Sequence, residues 1–109
     1  MALNFKITYS TLGLSSLKDI HNYLEYHIDI DTADRIIVRI GKFISNNMPY
    51  NPFMGRILSE YKLKTKDVRR ITAEKRYNIY YRVDEQAQQI YILKIVDGKQ
   101  SIKRQLHGL

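Results

Sequence analysis

The run Ile90-Tyr-Ile-Leu-Lys-Ile-Val96 constrains the fold more than any other stretch of this chain. It is apolar nearly throughout, as expected of a β-strand covered on both faces. It closes a longer segment, Lys62 to Val96, that reads as a strand, a tight connection, a second strand, a turn and a third strand. Val68 to Thr72 is the first of these. Ala73-Glu-Lys-Arg76 is the hairpin connection, and its lack of glycine leaves the turn type open. In the second strand Tyr77, Ile79, Tyr81 and Val83 share one face, and Asn78, Tyr80 and Arg82 the other. Asp84-Glu-Gln-Ala-Gln is a polar turn. Asp97-Gly98 ends the last strand, and a basic tail with Lys99, Lys103 and Arg104 follows.

Upstream the period changes. Leu3, Phe5, Ile7 and Tyr9 alternate with Asn4, Lys6 and Thr8, the pattern of a strand with one buried face. Thr11-Leu-Gly-Leu-Ser-Ser breaks that pattern, and Ser16 with Asp19 three residues on predicts a helix starting near Leu17. Leu17, Ile20, Leu24 and Ile28 form its apolar stripe. A second stripe, Ala33, Ile37, Ile40 and Ile44, follows a predicted cap at Asp31, with Asp34 in the first turn near the positive end of the dipole. Asn46-Asn47 and Pro49 end this helix. Pro49-Tyr-Asn-Pro-Phe-Met-Gly55 is an irregular loop, short enough to lie within one domain spanning residues 1–109. Arg56 to Leu63 fits either a short helix or an early strand.

Charge separates the two halves. Residues 1–55 hold five basic and five acidic side chains, whereas residues 56–109 hold thirteen basic and six acidic, so the whole net charge of +7 sits in the second half. Such a half suits an anionic partner or, more plainly, a solvated cationic face. Lys62, Lys64, Lys66, Arg69, Arg70, Lys75 and Arg76 concentrate it further. The absence of cysteine excludes disulfide scaffolds, thiol nucleophiles and Cys-based zinc sites. The N-terminus lacks the apolar core of a signal peptide and no stretch is long enough to span a bilayer, so a cytoplasmic location away from the membrane is the expectation.

Several sharper motifs fail on inspection. Asp29-Ile-Asp-Thr-Ala-Asp34 is not a calcium loop, because its sixth position is Asp34 rather than Gly and its twelfth is Ile40 rather than Glu. The helical pair makes a poor DNA reader, since Arg35, Arg39 and Lys42 are offset by acidic neighbours. His21 and His27 lie on different helix faces and His107 in the tail, which gives no His pair and no metal site. Gly41-Lys42 has no glycine at Ile36, where a phosphate-binding loop needs its first. No cofactor is expected.

A strand, a helical hairpin, a Pro/Gly loop and a basic β-meander together resemble the RelE/ParE superfamily of bacterial toxins. Leu17-Lys-Asp-Ile-His-Asn-Tyr-Leu24 is similar to the first helix of ParE-like members, and Pro52-Phe-Met-Gly-Arg56 to the segment after their second helix. Val68-Arg-Arg-Ile71, Arg76-Tyr-Asn-Ile-Tyr-Tyr-Arg-Val-Asp84 and Ile90-Tyr-Ile-Leu-Lys-Ile95 resemble their three closing strands. The resemblance implies an α+β fold of order β-α-α-β-β-β with a largely antiparallel meander. It also implies a toxin of the kind linked to plasmid stabilization, neutralised by a cognate antitoxin in a hetero-oligomer.

The superfamily divides by target. RelE-like members cut messenger RNA on the ribosome, with Lys, Arg and Tyr side chains holding phosphate and developing charge. ParE-like members poison DNA gyrase. Here Tyr77 is followed by Asn78 where RelE-like enzymes carry arginine, and Asp97-Gly98 stands where they often carry a basic cluster. Both departures favour binding over cleavage, with a non-toxic nucleic-acid-binding module as the third reading. The residues expected to contact the target are Lys62, Lys64, Arg69, Arg70, Lys75, Arg76, Tyr80, Arg82, Lys99 and Lys103. Tyr80 is the expected exposed stacking residue, since Tyr77 and Tyr81 alternate with Ile79 as core residues do.

Overall fold

The apolar run Ile90–Val96 lies inside a five-stranded sheet with cover on both sides. The computed structural model describes residues 4–109. Leu3, assigned above to the first strand's buried face, lies outside them. The elements are β1 (Lys6–Tyr9), α1 (Thr11–His27), α2 (Ile30–Asn47), β2 (Arg56–Ile57), β3 (Arg69–Ala73), β4 (Tyr77–Asp84), β5 (Gln89–Asp97) and α3 (Ile102–Leu106). Their order across the sheet is β1-β5-β4-β3-β2, with β1 parallel to β5 and the other pairs antiparallel. This is the α+β architecture of strand, helical hairpin and meander that the sequence predicts, with the two-residue strand β2 and a short closing helix added.

The helical hairpin covers one face. Ile20 and Leu24 of α1 and Ala33, Ile40 and Ile44 of α2 pack onto Tyr77, Ile79, Tyr81, Ile90, Ile92 and Ile95. Truncating one fully buried member, such as Ile40, to alanine costs about 2–5 kcal/mol. Leu58, Val68, Tyr80, Val96 and Leu109 form a smaller cluster on the opposite face, joined by Leu63, Leu93 and Leu106. The loop between β2 and β3 and the segment carrying α3 supply that second cover. The basic tail is therefore a packed layer, held by backbone as well as side chain: Thr65 N donates to Leu109 O at 2.8 Å.

Helix starts differ from their predicted positions, and each shift has a physical cause. α1 begins at Thr11, capped by Ser10, whose hydroxyl accepts from Gly13 N at 2.9 Å. Ser16, the predicted cap, is buried inside the helix. Ile28, predicted on the apolar stripe, is the exposed residue that ends α1. α2 is capped by Asp29 rather than Asp31: its carboxylate accepts from Thr32 N at 2.6 Å, and that backbone bond holds the carboxyl below the usual aspartate range. Asp34 falls beyond the first turn and meets His21 of α1 at 2.7 Å, tying the two helices together.

The strands hold two features that alternation alone does not show. Tyr80 pairs with Lys94 but Tyr81 with Ile92, so Leu93 is an extra residue in β5. This bulge sets Leu93 and Lys94 on the same side and returns Ile95 to the helical face. The β3–β4 connection places Glu74 at φ 54 and Lys75 at φ 56. Arg76 N donates to Ala73 O at 3.1 Å across these two left-handed residues, a type I′ turn within the three-residue connection between the paired Ala73 and Tyr77, here met without glycine or asparagine.

Candidate functional site

The ten cationic and aromatic residues expected to contact a target do not form one site. Tyr80 is the clearest correction: it is fully buried, not exposed. Its hydroxyl donates to Gln105 Oε1 at 2.7 Å beneath α3. Alternation placed Tyr80 and Arg82 correctly on one face, but it could not reveal that the tail folds back over that face. Burial in this layer pushes the Tyr80 phenol above the ordinary tyrosine range.

Several cations are already engaged within the fold. Arg69 lies over the Phe53 ring, 5.0 Å from its centroid, and donates to Gly55 O at 2.8 Å and Phe53 O at 3.3 Å. It thereby fastens the Pro/Gly loop to the sheet. Next to that loop Gly55 N donates to the buried Tyr81 hydroxyl at 2.8 Å. Arg82 covers the Tyr91 ring of the neighbouring strand β5 at 4.7 Å. Lys62 and Lys64 are exposed on the β2–β3 loop, and Arg70 is half-buried on the α3 face of β3.

Arg76, Lys99 and Lys103 do come together. They border a cleft of about 1210 Å³ between α1 and the α3 segment, lined also by Asp19, Ile20, Tyr23, Tyr77, Arg104 and His107. Arg76 reaches Asp97 Oδ2 through Nη2 at 2.7 Å and Nε at 3.1 Å. Burial works to raise the Asp97 pKa, but the Arg76 bond and the Lys99 amide at 3.0 Å outweigh it and hold the carboxyl below its usual range. Lys75, Arg76 and Lys99 also surround a smaller hollow of about 340 Å³ with Thr72, Asn78 and Gly98.

A polar network sets the position of α3. Gln105 Oε1 accepts from both Tyr80 and Asn78, the latter at 2.8 Å, while its Nε2 donates to Gln100 O at 2.8 Å and Gly98 O at 3.3 Å. Lys94, outside the candidate set, directs its buried ammonium at Arg104 O and His107 O, 2.8 and 2.9 Å away. Desolvation lowers its pKa, with the Arg104 charge acting the same way. A lysine inside an apolar strand is the one sequence signal that marks this position.

Among the described residues, no group of three or more His, Asp or Glu side chains could hold a metal. No helix among them is long and apolar enough to cross a membrane.

A strand feeding a helical hairpin, laid on an otherwise antiparallel sheet with a basic margin, defines the fold of the RelE/ParE class of toxins. The family model described as the ParE toxin of the type II toxin–antitoxin system, parDE, matches residues 7–102, and the chain belongs to that family. No curated protein sequence matches it. Among solved structures it resembles the chromosomal ParDE toxin–antitoxin system from P. aeruginosa (TM-score 0.69, 16% identity, 88% of this chain and 98% of that one). It also resembles the RelBE2 toxin–antitoxin complex from Mycobacterium tuberculosis (TM-score 0.67, 14% identity, 87% of this chain and 92% of that one). At these identities the likeness concerns the fold, and it spans both branches of the superfamily.

Proposed function

We propose that this type II toxin acts as ParE-like members do, by binding DNA gyrase rather than by chemistry of its own, and that a cognate antitoxin neutralises it. The observation that supports this most is the Asn78–Gln105–Tyr80 network. RelE-like chemistry calls for an arginine at the position of Asn78 and an accessible tyrosine nearby. Here the side chain is a neutral amide locked to Gln105, and the neighbouring tyrosine lies buried beneath α3. The test is gyrase supercoiling with purified toxin: inhibition is expected, and an unaffected gyrase at toxin excess overturns the reading.

One observation favours a second reading. Lys75, Arg76 and Lys99 around the 340 Å³ hollow form the sort of cationic cup that suits an RNA phosphate. A RelE-like ribonuclease would cleave messenger RNA on translating ribosomes and lose that activity when Arg76 or Arg70 becomes alanine. Intact messenger RNA in that assay removes this alternative.

A further inference from the structure

The sheet has two edges, and they differ in what they offer. β2 is two residues long and lies among Arg56, Arg69 and Arg70, a short cationic edge of the kind that discourages further pairing. β1 closes the other side, and among the described residues no strand lies beyond it.

Hydrogen-bond phase shows which groups this second edge presents. Lys6 N donates to Gln88 O and Ser10 N to Ile92 O, both at 2.9 Å, so the even-numbered residues turn their backbone groups toward β5. Phe5, Ile7 and Tyr9 turn theirs outward. The Phe5 amide is already used, donating to Pro49 O at 3.1 Å, and this bounds the edge at one end. Ser10 caps α1 and bounds it at the other. Between them the amides and carbonyls of Ile7 and Tyr9 have no partner among the described residues.

Such a stretch is complementary to itself. Two copies whose sheets join across a two-fold axis meet antiparallel, and each hydrogen-bonded pair then exchanges two bonds. An axis at Thr8 sets Ile7 against Tyr9 of the second copy, and Tyr9 against its Ile7, which uses every group left over. An axis at Ile7 would set Tyr9 against Phe5, whose amide Pro49 holds.

Side chains and charge agree with the axis at Thr8. Ile7 and Tyr9 are half-buried at the margin of the main core, so each pair carries that core across the axis. Leu14, bonded through its amide to Ser10 O, is 56% exposed, and Tyr50, next to Pro49, is 62% exposed. They mark opposite ends of β1, so antiparallel pairing brings the Leu14 end of one copy to the Tyr50 end of the other. Residues 1–55 carry no net charge, whereas the half that holds the +7 would repel its own copy.

We propose that two copies of this chain pair through β1, antiparallel about a two-fold axis at Thr8, joining two five-stranded sheets into one continuous sheet. The pairing is independent of the toxin's cellular target and of the cleft beside α3.

The test is the oligomeric state of the full chain, read by sedimentation equilibrium over a range of concentrations. A dimer is expected. Ile7→Pro removes two of its bonds, one from each copy, while sparing the β5 ladder, and should weaken it at least tenfold. Thr8→Lys, at an exposed position, sets two like charges face to face and should weaken it further at low salt than at high. The chain has no cysteine, so single cysteines report the register. Thr8→Cys meets its copy at a Cα separation of about 4.5 Å and should cross-link under mild oxidation. Lys6→Cys lies on the same face, but its two copies stand about 13 Å apart and should not. A chain that is monomeric at its highest soluble concentration overturns the proposal. So does a dimer indifferent to both Ile7→Pro and Thr8→Lys, or a cross-link that forms as readily at Lys6→Cys as at Thr8→Cys.

Discussion

The Ile95 amide donates to the Ser16 hydroxyl at 2.9 Å, joining β5 to α1 where the Leu93 bulge has turned that amide out of the ladder. The same bulge region presents Ile92 O to Ser10 N and Leu93 O to the Ser10 hydroxyl, so both ends of the first two turns of α1 are anchored to one strand. Ser16→Ala leaves the Ile95 amide without its partner in a buried place. A loss of about 1–3 kcal/mol is expected, read as a lower urea midpoint at unchanged slope.

Gly13 permits that approach. A Cβ there would overlap the Ile92 carbonyl oxygen, which belongs to backbone and cannot swing aside. Gly41, half-buried in α2, has nothing within 4 Å of the same atom. Gly13→Ala should therefore cost about 1–3 kcal/mol despite alanine's better helix propensity, while Gly41→Ala gains up to about 1 kcal/mol. Thermal melts of the two variants, run together, check the difference in sign.

The β3–β4 turn is strained by its own residues. Glu74 and Lys75 hold left-handed angles that asparagine and glycine adopt at lower cost. Replacing the pair by Glu74→Asn with Lys75→Gly is expected to stabilise the fold by about 1 kcal/mol or more. Equilibrium denaturation measures the gain, and a loss would show that the two native side chains contribute more than the backbone strain removes.

Gln105 is the point through which α3 is held. Gln105→Leu keeps the volume but leaves the Tyr80 hydroxyl and the Asn78 amide without their acceptor, a loss of about 1–3 kcal/mol per buried group. Raised exposure of Tyr80 in near-ultraviolet circular dichroism and faster amide exchange across Ile102–Leu106 are the expected signs.

Acid should weaken the Arg76–Asp97 pair. Asp97 has a folded-state pKa below its ordinary value, so the unfolded chain takes up its proton first as pH falls. The stabilisation is complete above about pH 3.9, the ordinary aspartate value, and is lost as pH drops through the lower folded value. Arg76 is partly exposed, so the contribution is modest, about 1 kcal/mol. Asp97→Asn should lower stability at pH 7 and flatten its dependence below pH 4, as followed by urea denaturation at several pH values.

The amino-acid sequence made legible the order of the main elements, the two helical stripes, the doubly covered last strand and the charge asymmetry. Each of these is a local period or a count, and such signals survive without knowledge of contacts. It also carried the superfamily resemblance, through the strand patterns around Val68, Tyr77 and Ile90. Tertiary structure alone decided the rest. The true start of α1 depends on β1 handing its chain directly to the helix, so that Ser10 caps and Gly13 touches Ile92. The burial of Tyr80 depends on a tail, polar in sequence, folding onto the sheet through Gln105. Above all, the cleft arises because β1 is shorter than β5 and a single extra residue, Leu93, changes which backbone groups face outward. Two strand lengths and one bulge set that arrangement, and neither leaves a periodic trace in the sequence, because both are settled by pairing between segments far apart in the chain.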